Sequence, residues 1–433
     1  MASPDAPTGG GGPWEPFRWP DKTVQALISE LGRDFLLLSA LCCAVGSHGS
    51  FFSGLGTSEM AWLVLGLALQ AHGLPFGLHH GFSCENDPYC QDVLRRYTTG
   101  PIVGDIMSLL HLPRYDPGAD FDEQLRVVME APFRTVFWCV RTLKYVQLCR
   151  PVTTSSGVPC QDHSMAGKRE GLRGKRAHLL FAWLRLQLAL LTPIIFLENV
   201  PQFCVDFLYE VMGDRYNIVV ILCGPQHVGF RFARRERLYI ALLRKGAVLI
   251  LRDIHKVMNA VCRALQNSVV LSDMFLAQPQ EVLAERNQCL QARGFVSGGC
   301  APVFGSSTRL LLTPAEQERA KYYTDCWWQC CGKAPETEPN LVYFLGDNPD
   351  GGWLSWSGPS GTESNFALPV IRNGSKVRLL WIPSLHRFMT RREILACMGF
   401  PSYVQLAHTY RLPNTFSLSL AESNHIGNCN SSA

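Results

Sequence analysis

The chain lacks several features that would assign it to a common class of protein. It has 433 residues and 17 cysteines but no pair of CxxC motifs, so neither a zinc ribbon nor a disulfide framework is indicated, and reduced thiols in an intracellular protein are expected. The net charge of +4 is small. Any contact with a polyanion must therefore come from local clusters of basic residues.

Long uninterrupted apolar runs are also absent. Residues 35–45 form an apolar run that is too short to span a bilayer, and residues 177–200 form a longer one that Arg185, Gln187 and Pro193 interrupt. Both runs are predicted to be core, and no membrane contact is expected. Cys326, Cys330 and Cys331 cluster without a second pair of ligands, so no metal site is predicted.

A strand, a glycine turn and a helix follow one another near the start of the chain. The run Phe51–Gly56 contains Gly54 and Gly56, and the helical pattern after it stops at Gly73. This arrangement lets a backbone approach a nucleotide-like ligand at a helix N-terminus. On its own, the same pattern is also typical of an ordinary tight turn.

Two more predicted strands end in an acid. The first ends at Glu85, placed to accept hydrogen bonds from a ribose, and Asp87 with Pro88 begins the helix after it. The second ends at Asp105 with Ile106, a pair that suits an adenine amino group and ring face. Three such strand ends in order favour a cofactor site over the alternative, which is helix caps in an unrelated α/β protein.

A cysteine and a carboxylate form a second set of candidates. Cys160 follows a proline in a polar loop after the extended run 151–154, and the apolar run 193–200 reads as a buried strand that carries Glu198 near its end. A thiol nucleophile and an acid, each delivered at a strand end, indicate a site. The alternatives are an inert buried cysteine and a solvated basic loop.

In order along the chain, these runs resemble the motifs of the cytosine-5 DNA methyltransferases. The resemblance implies an α/β fold: a Rossmann-like S-adenosylmethionine-dependent methyltransferase sheet with helices on both faces, plus a smaller irregular target-recognition domain. It implies contacts with S-adenosylmethionine from Phe52, Gly54, Gly56, Glu85, Asp105, Ile106 and Asn428. It implies catalytic roles for Cys160, Glu198, Arg235 and Arg237. It implies contacts with nucleic acid from Gln161, Ser164, Lys168, Arg169 and Arg176.

The chemistry of such enzymes requires these residue types together. Carbon 5 of cytosine is a poor nucleophile until a thiolate adds at carbon 6, and a free thiol with a pKa of about 8.5 is only slightly ionised at neutral pH. The negative charge that develops on the ring needs a donor at nitrogen 3, the role implied for Glu198. Asn199 is expected to hold the loop geometry.

Composition predicts a disordered leader at 1–20, which is rich in glycine and proline and poor in aliphatic residues. The resemblance divides the rest into a catalytic and cofactor-binding domain (21–240, with an insertion at about 111–150), a target-recognition domain (241–385) and a return segment (386–433). In the third part, Thr313 and Glu316 form a predicted capping box, and tryptophans among glycines and prolines suggest short strands and loops. Residues 387–401, which contain a second predicted capping box at Thr390 and Glu393, and residues 425–428 resemble the family's late motifs. The helix that follows in the family is expected to be absent, and residues 22–45 are a candidate to replace it.

The predicted function is transfer of a methyl group from S-adenosylmethionine to a flipped cytosine in double-stranded DNA, by a monomer, with the nucleus suggested by the substrate alone. Ser50, Thr57 and Ala233 depart from the family's usual residues. They leave open a non-enzymatic relative that binds DNA or a partner. A transfer-RNA methyltransferase is the other alternative, although the third part of the chain lacks the Cys-Phe-Thr tripeptide of that branch.

Overall fold

The computed structural model describes residues 12–43, 46–113, 115–160, 171–292, 312–347, 355–359, 366–368 and 379–412. Its contacts divide the chain into two compact units. The sheet unit comprises Pro20–Gly224 and Glu236–Ala264, and the second unit comprises Pro225–Arg235 and Leu265–Gly427 with the chain up to Trp19. The domain limits read from the sequence remain predictions.

The sheet unit is built on one mixed sheet. Its strands are β1 (Ser47–Phe51), β2 (His79–Cys84), β3 (Ile102–Val103), β4 (Val136–Cys139), β5 (Lys144–Gln147), β6 (Thr153–Ser156), β7 (Ile194–Asn199), β8 (Tyr216–Cys223) and β9 (Arg237–Arg244). They pair in the order β5-β4-β3-β2-β1-β6-β7-β9-β8. The neighbouring pairs β3-β2, β2-β1, β1-β6 and β6-β7 are parallel. Strand β9 runs antiparallel to both of its neighbours.

Helices cover both faces of this sheet, as the predicted fold class requires. The helices of this unit are α1 (Trp19–Leu31), α2 (Arg33–Cys43), α3 (Thr57–Ala71), α4 (Pro88–Tyr97), α5 (Phe121–Glu130), α6 (Ala177–Leu190), α7 (Val205–Met212) and α8 (Ile254–Ala264). On one face, Trp183 of α6 and Phe207 of α7 share the main core with Ile195 and Leu197 of β7. On the other face, Trp62 of α3 lies 6.1 Å from the ring of Phe196. The fold class is confirmed.

Strand β7 was predicted as a buried strand, and the structure buries only one of its faces. Its odd-numbered residues, Ile195, Leu197 and Asn199, are buried, while Ile194, Phe196 and Glu198 are at least partly exposed. The alternation follows from the two-residue period of a strand whose two faces are covered unequally. Glu198 therefore lies on the less covered face.

The strand order reverses between β1 and β6. From β1 the chain moves outward through β2 and β3, and it then returns to β6 and β7 on the other side of β1. Ligands of open α/β sheets bind at the carboxyl ends of the strands beside such a switch point. Phe51, Ser156 and Leu197 are in register across three neighbouring strands. The glycine turn, the Cys160 loop and Glu198 thus meet at one edge of the sheet.

The interval 111–150, predicted as an insertion of unknown role, adds to this unit. Its helix α5 packs against α6, and β4 and β5 form an antiparallel hairpin that continues the sheet beyond β3. Phe137 and Cys139 of the hairpin are buried in the main core. The interval is therefore part of the sheet unit's packing.

The amino-terminal helices pack against α3. Val24 of α1 and Leu36 of α2 form a small cluster with Ala68 and Leu69 of α3 and with Leu74. The predicted helical character of residues 22–45 is thus confirmed for the described residues up to 43. Whether this segment replaces the family's final helix remains a prediction, to be tested by the stability and cofactor binding of a deletion of residues 1–45.

The second unit contains α9 (Pro279–Ala292), α10 (Pro314–Cys331), α11 (Arg391–Cys397) and α12 (Val404–Thr409), with the small sheet β10 (Tyr343–Phe344), β11 (Leu380–Ile382) and β12 (Arg387–Phe388). Thr313 and Glu316 form the predicted capping box, and so do Thr390 and Glu393. Tyr323, Trp327, Tyr343 and Trp356 form an aromatic core.

Two sequence predictions for this unit are wrong. Trp327 and Trp328 lie on helix α10, not on a short strand or loop, because the capping box starts a helix that runs through them. Residues 15–18, assigned to a disordered leader, form a short 3-10 helix. Phe17 within it is fully buried between Phe230 and Tyr410, and this tertiary contact orders a segment whose composition is typical of disorder.

Candidate active site at the carboxyl edge of the sheet

The glycine turn between β1 and α3 adopts a backbone that favours glycine. Phe52, Gly54 and Gly56 all have positive φ, of 55°, 54° and 80°. Gly56 caps α3, and a Cβ there would lie 2.9 Å from a methyl group of Leu94. The turn thus leads the backbone into a helix N-terminus without side chains at Gly54 and Gly56, the geometry that admits a nucleotide-like ligand.

Glu85 connects this turn to the end of β2. One carboxylate oxygen accepts a hydrogen bond from the Gly54 amide at 2.7 Å, and the other accepts one from the Asp87 amide at 2.8 Å. Burial raises the pKa of Glu85, and these backbone hydrogen bonds oppose the shift. A carboxylate has about four acceptor sites, more than the backbone amides of Gly54, Asn86 and Asp87 use, so it can also accept a sugar hydroxyl.

The third predicted strand end has a different environment. Asp105 is exposed, and its carboxylate caps a short 3-10 helix by accepting the Met107 amide at 2.9 Å. Ile106 is 3 % exposed and belongs to the main core. The contacts of Asp105 and Ile106 with adenine remain predictions.

The loop that carries Cys160 is tied to strand β7. The Asn199 side chain, 1 % exposed, donates to the carbonyl of Val158 at 3.2 Å and accepts the Val200 amide at 2.9 Å. Asn199 therefore holds the loop geometry, as the sequence predicted. Cys160 is half-buried, in contrast to the buried cysteines Cys84 and Cys139.

Glu198 pairs with Arg237 on the neighbouring strand β9. The guanidinium Nε of Arg237 lies 2.9 Å from Oε1 of Glu198, and both side chains are largely shielded from solvent. A charged hydrogen bond of this kind is about twice as strong as a neutral one and restricts the orientation of the carboxyl group. The cationic partner can also stabilise negative charge that develops nearby.

The remaining predicted residues are placed in different parts of the chain. Arg235 belongs to the second unit and is half-buried, and Arg176 is exposed immediately before α6. Four predicted nucleic-acid contacts and one predicted cofactor contact lie outside the described residues: Gln161, Ser164, Lys168, Arg169 and Asn428. Their roles remain predictions.

Sequence reasoning missed a buried polar network beneath the glycine turn. Glu59, in the first turn of α3, accepts hydrogen bonds from the hydroxyls of Ser50, Ser58 and Ser83. His48 hydrogen-bonds to Ser58, and His80 hydrogen-bonds to Ser83. The one available signal was ambiguous, because a glutamate in the first turn of a helix is common on protein surfaces, where it interacts with the helix dipole.

The residues at this edge fit S-adenosylmethionine. The turn lacks side chains at Gly54 and Gly56, and the N-terminus of α3 begins there. The Glu85 carboxylate has more acceptor sites than its backbone donors use, so it can accept a ribose hydroxyl. Among the described residues, no group of three or more His, Cys, Asp or Glu side chains is arranged to hold a metal ion. Across the same residues, no helix is long and apolar enough to cross a membrane.

Comparison with known families identifies one match, which covers more than half of the chain. The family model described as C-5 cytosine-specific DNA methylase matches residues 152–429. The match includes Cys160, Glu198 and Arg237 and begins after the glycine turn. No curated protein matches the chain.

Solved structures of methyltransferases show limited similarity to the chain. The Entamoeba histolytica methyltransferase EhMeth is 14 % identical with a TM-score of 0.33, over 55 % of this chain and 61 % of its own. A putative DNA modification methyltransferase encoded within an Escherichia coli prophage is 12 % identical with a TM-score of 0.41, over 88 % and 97 %. The S. pombe Dnmt2 methyltransferase is 11 % identical with a TM-score of 0.34, over 57 % and 65 %. The match therefore spans less than two thirds of two of these proteins.

Proposed function

Because the chain belongs to the C-5 cytosine-specific DNA methylase family, we propose that it transfers a methyl group from S-adenosylmethionine to carbon 5 of a flipped cytosine in double-stranded DNA. One observation carries the proposal: the Cys160 loop, tied down by Asn199, and the Glu198–Arg237 pair occur at the same edge of the sheet, beside the switch point. Family membership alone would not require these groups to remain assembled.

Cys160 acts as the nucleophile in this proposal. Its thiolate adds to carbon 6 of the cytosine, and the electron pair displaced from the ring double bond makes carbon 5 nucleophilic. When bound, S-adenosylmethionine would supply the methyl group that carbon 5 accepts, and its sulfur would keep the electron pair of the broken carbon–sulfur bond. Loss of the proton from carbon 5 then restores the double bond and expels the Cys160 thiolate, which leaves the enzyme unchanged.

Glu198 and Arg237 stabilise the charge that this addition creates. In its protonated form, the Glu198 carboxyl group donates to nitrogen 3 of the cytosine, and Arg237 holds the carboxyl in place through its 2.9 Å hydrogen bond. Removing one preorganised donor of this kind typically lowers the rate by about a hundredfold or more. Extruding the base costs a few kcal/mol, which contacts in the pocket recover.

The cofactor half of the proposal rests on the glycine turn and Glu85. The turn offers backbone amides at the start of α3, and Glu85 offers carboxylate oxygens for ribose hydroxyls. Basic side chains near the cysteine loop, including the exposed Arg173, Lys175 and Arg176, provide local positive charge for a phosphate backbone. We further propose that the protein acts as a monomer. The proposed substrate, DNA, implies that it works in the nucleus.

A labelling experiment distinguishes this function from its two rivals. Purified chain is incubated with methyl-labelled S-adenosylmethionine and either duplex DNA or transfer RNA. The wild type is compared with Cys160→Ser and with the control Cys204→Ser, which alters another half-buried cysteine of the sheet unit. We expect label in DNA for the wild type and the control, and none for Cys160→Ser.

The other outcomes have definite meanings. Label in transfer RNA alone would assign the chain to RNA, and label in neither substrate, while cofactor binding is intact, would indicate a non-enzymatic relative. DNA containing 5-fluorocytosine should become covalently attached to the wild type, because carbon 5 then carries no removable proton. Attachment that persists in Cys160→Ser would exclude Cys160 as the nucleophile.

A further inference from the structure

We infer that Glu59 is a positioning residue for the cofactor: its buried carboxylate holds the glycine turn of residues 52–56 in the conformation that receives S-adenosylmethionine. The inference rests on the proposed function, because it assigns a role at the same cofactor site. It concerns the layer beneath the turn, which no motif of the sequence indicated.

The Glu59 carboxylate is surrounded by donors from three elements. Its side chain is 6 % exposed. One oxygen accepts hydrogen bonds from the hydroxyls of Ser50 on β1 and Ser83 on β2. The other oxygen accepts a hydrogen bond from the hydroxyl of Ser58 on α3 at 2.9 Å. A buried carboxylate is stable only when its lone pairs are satisfied, so these three hydroxyls and Glu59 stabilise one another.

The direction of each hydrogen bond is determined by its neighbours. His80 accepts the Gly100 amide at its Nδ1 atom, at 2.7 Å, so the ring proton is on Nε2. Nε2 then donates to Ser83 at 2.9 Å. Since the Ser83 hydroxyl donates onward to Glu59, the chain of donors from His80 points at the carboxylate.

His48 forms the same arrangement on the other side. The Ser58 proton is used by Glu59, so His48 must donate from Nε2 to Ser58, at 3.4 Å, and accept from Thr153 at Nδ1, at 2.9 Å. Burial is the largest cause of the lowered pKa values of both His48 and His80. Neutral rings suit these hydrogen-bond directions, because each ring must accept at one nitrogen.

The network reaches the turn at two points. The Ser50 hydroxyl, which donates to Glu59, lies 2.5 Å from the hydroxyl of Ser53 within the turn, and the Ser53 hydroxyl also donates to the Cys84 carbonyl at 3.3 Å. Gly56, at the end of the turn, lies close to the Glu59 carboxylate. A Cβ at Gly56 would be 3.8 Å from the Oε2 atom of Glu59. The turn itself has backbone of positive φ at Phe52, a conformation that costs free energy and persists only where surrounding contacts support it.

The test compares cofactor affinity and local order in four variants. Glu59→Gln keeps the shape of the side chain and removes its charge, and Ser83→Ala removes one donor. The double variant Ser50→Asp with Glu59→Gln returns a carboxylate to the network from β1. Glu123→Gln, a first-turn glutamate of α5 that pairs on the surface with Arg126, is the matched control.

The binding measurement is calorimetric titration with S-adenosylmethionine. We expect Glu59→Gln to weaken binding by about tenfold or more, because it removes charge-assisted hydrogen bonds from a buried group. Ser83→Ala should have a smaller effect in the same direction. The double variant should recover most of the affinity, a rescue that general destabilisation would not produce.

Hydrogen exchange in the cofactor-free protein provides an independent readout. The amides of residues 53–56 should exchange faster in Glu59→Gln than in Glu123→Gln, while the amides of β7 remain unchanged. Wild-type affinity together with wild-type exchange in Glu59→Gln would overturn the inference and leave the proposed function intact. A wild type that binds no S-adenosylmethionine would overturn the proposed function and this inference together.

Discussion

Arg237 and Glu198 form an ion pair at 2.9 Å between neighbouring strands of the sheet unit, at the edge where the Cys160 loop also lies. Strand β9 runs antiparallel to β7, so an arginine at the start of one strand meets a carboxylate at the end of the other. The pair thus depends on strand pairing and not on proximity in the sequence.

Replacing Arg237 with lysine should lower the rate of methyl transfer. Lysine keeps the charge but loses the planar array of donors that holds a carboxylate, so we expect single-turnover rates to fall by about ten- to a hundredfold. The affinity for S-adenosylmethionine should change by less than about twofold, because Arg237 does not belong to the cofactor turn. Arg244→Lys, at the other end of β9, should leave the rate unchanged. An equal loss of rate in both variants would contradict this assignment.

Replacing Asn199 with alanine should impair both stability and catalysis. The change leaves the Val158 carbonyl and the Val200 amide without their partner in a buried site, which should cost about 2–3 kcal/mol of unfolding free energy. Denaturant unfolding measures this cost, and the rate of 5-fluorocytosine trapping measures the loss of loop geometry. Asn217→Ala on the exposed side of β8 is the control. Trapping at the wild-type rate would show that the loop does not need this tether.

The stability of the sheet unit should decrease as the pH falls from neutral. Burial lowers the pKa of His48 from 6.5 to about 4, so the unfolded chain takes up a proton at a pH where the folded chain does not. The contribution of His48 is therefore complete above pH 6.5 and is lost as the pH falls toward 4, amounting to about 3 kcal/mol at most. His80, whose pKa is also lowered, acts in the same direction.

Urea unfolding between pH 4 and 7 tests this dependence. A His48→Asn variant should show a shallower loss of stability across the window, even though its stability at pH 7 is lower. His255→Asn, an exposed histidine on α8, should follow the wild-type curve. A His48→Asn curve parallel to the wild type throughout would rule out His48 as a source of the pH dependence.

Replacing Glu393 with alanine should strongly destabilise the second unit. This carboxylate is fully buried and accepts hydrogen bonds from both terminal nitrogens of Arg387, each at 2.8 Å. It also accepts hydrogen bonds from the backbone amides of Thr390 and Ala277. Removing one member of a buried ion pair typically costs about 3–5 kcal/mol. Thermal unfolding of the full chain should show an early transition in Glu393→Ala and none in the exposed variant Glu318→Ala. A wild-type melting profile in Glu393→Ala would mean that the pair contributes little.

Several parts of the structure could be predicted from the sequence because they depend on interactions between residues that are close along the chain. The helix caps at Asp87, Thr313 and Thr390 were predictable because a capping side chain bonds to amides two or three residues away. The strand before Glu198 was predictable because its apolar run is short and is followed by polar residues. In each case the interacting groups are near neighbours along the chain.

Other features were decided only by long-range packing. The exposed face of β7 depends on which helices cover the sheet, and the order of residues 15–18 depends on Phe230 and Tyr410, which are far away in the sequence. No local pattern contains that information. The interval 111–150 likewise showed no role until its hairpin paired with β3.

The sequence by itself determined which side chains are available for the proposed chemistry: a thiol at 160, a carboxylate at 198 and glycines at 54 and 56. The tertiary structure decided which of them meet, because parallel strands bring residues from distant parts of the chain to one edge of the sheet. It also decided that Glu59 is buried, since a glutamate one turn into a helix is solvated unless donors from other strands surround it.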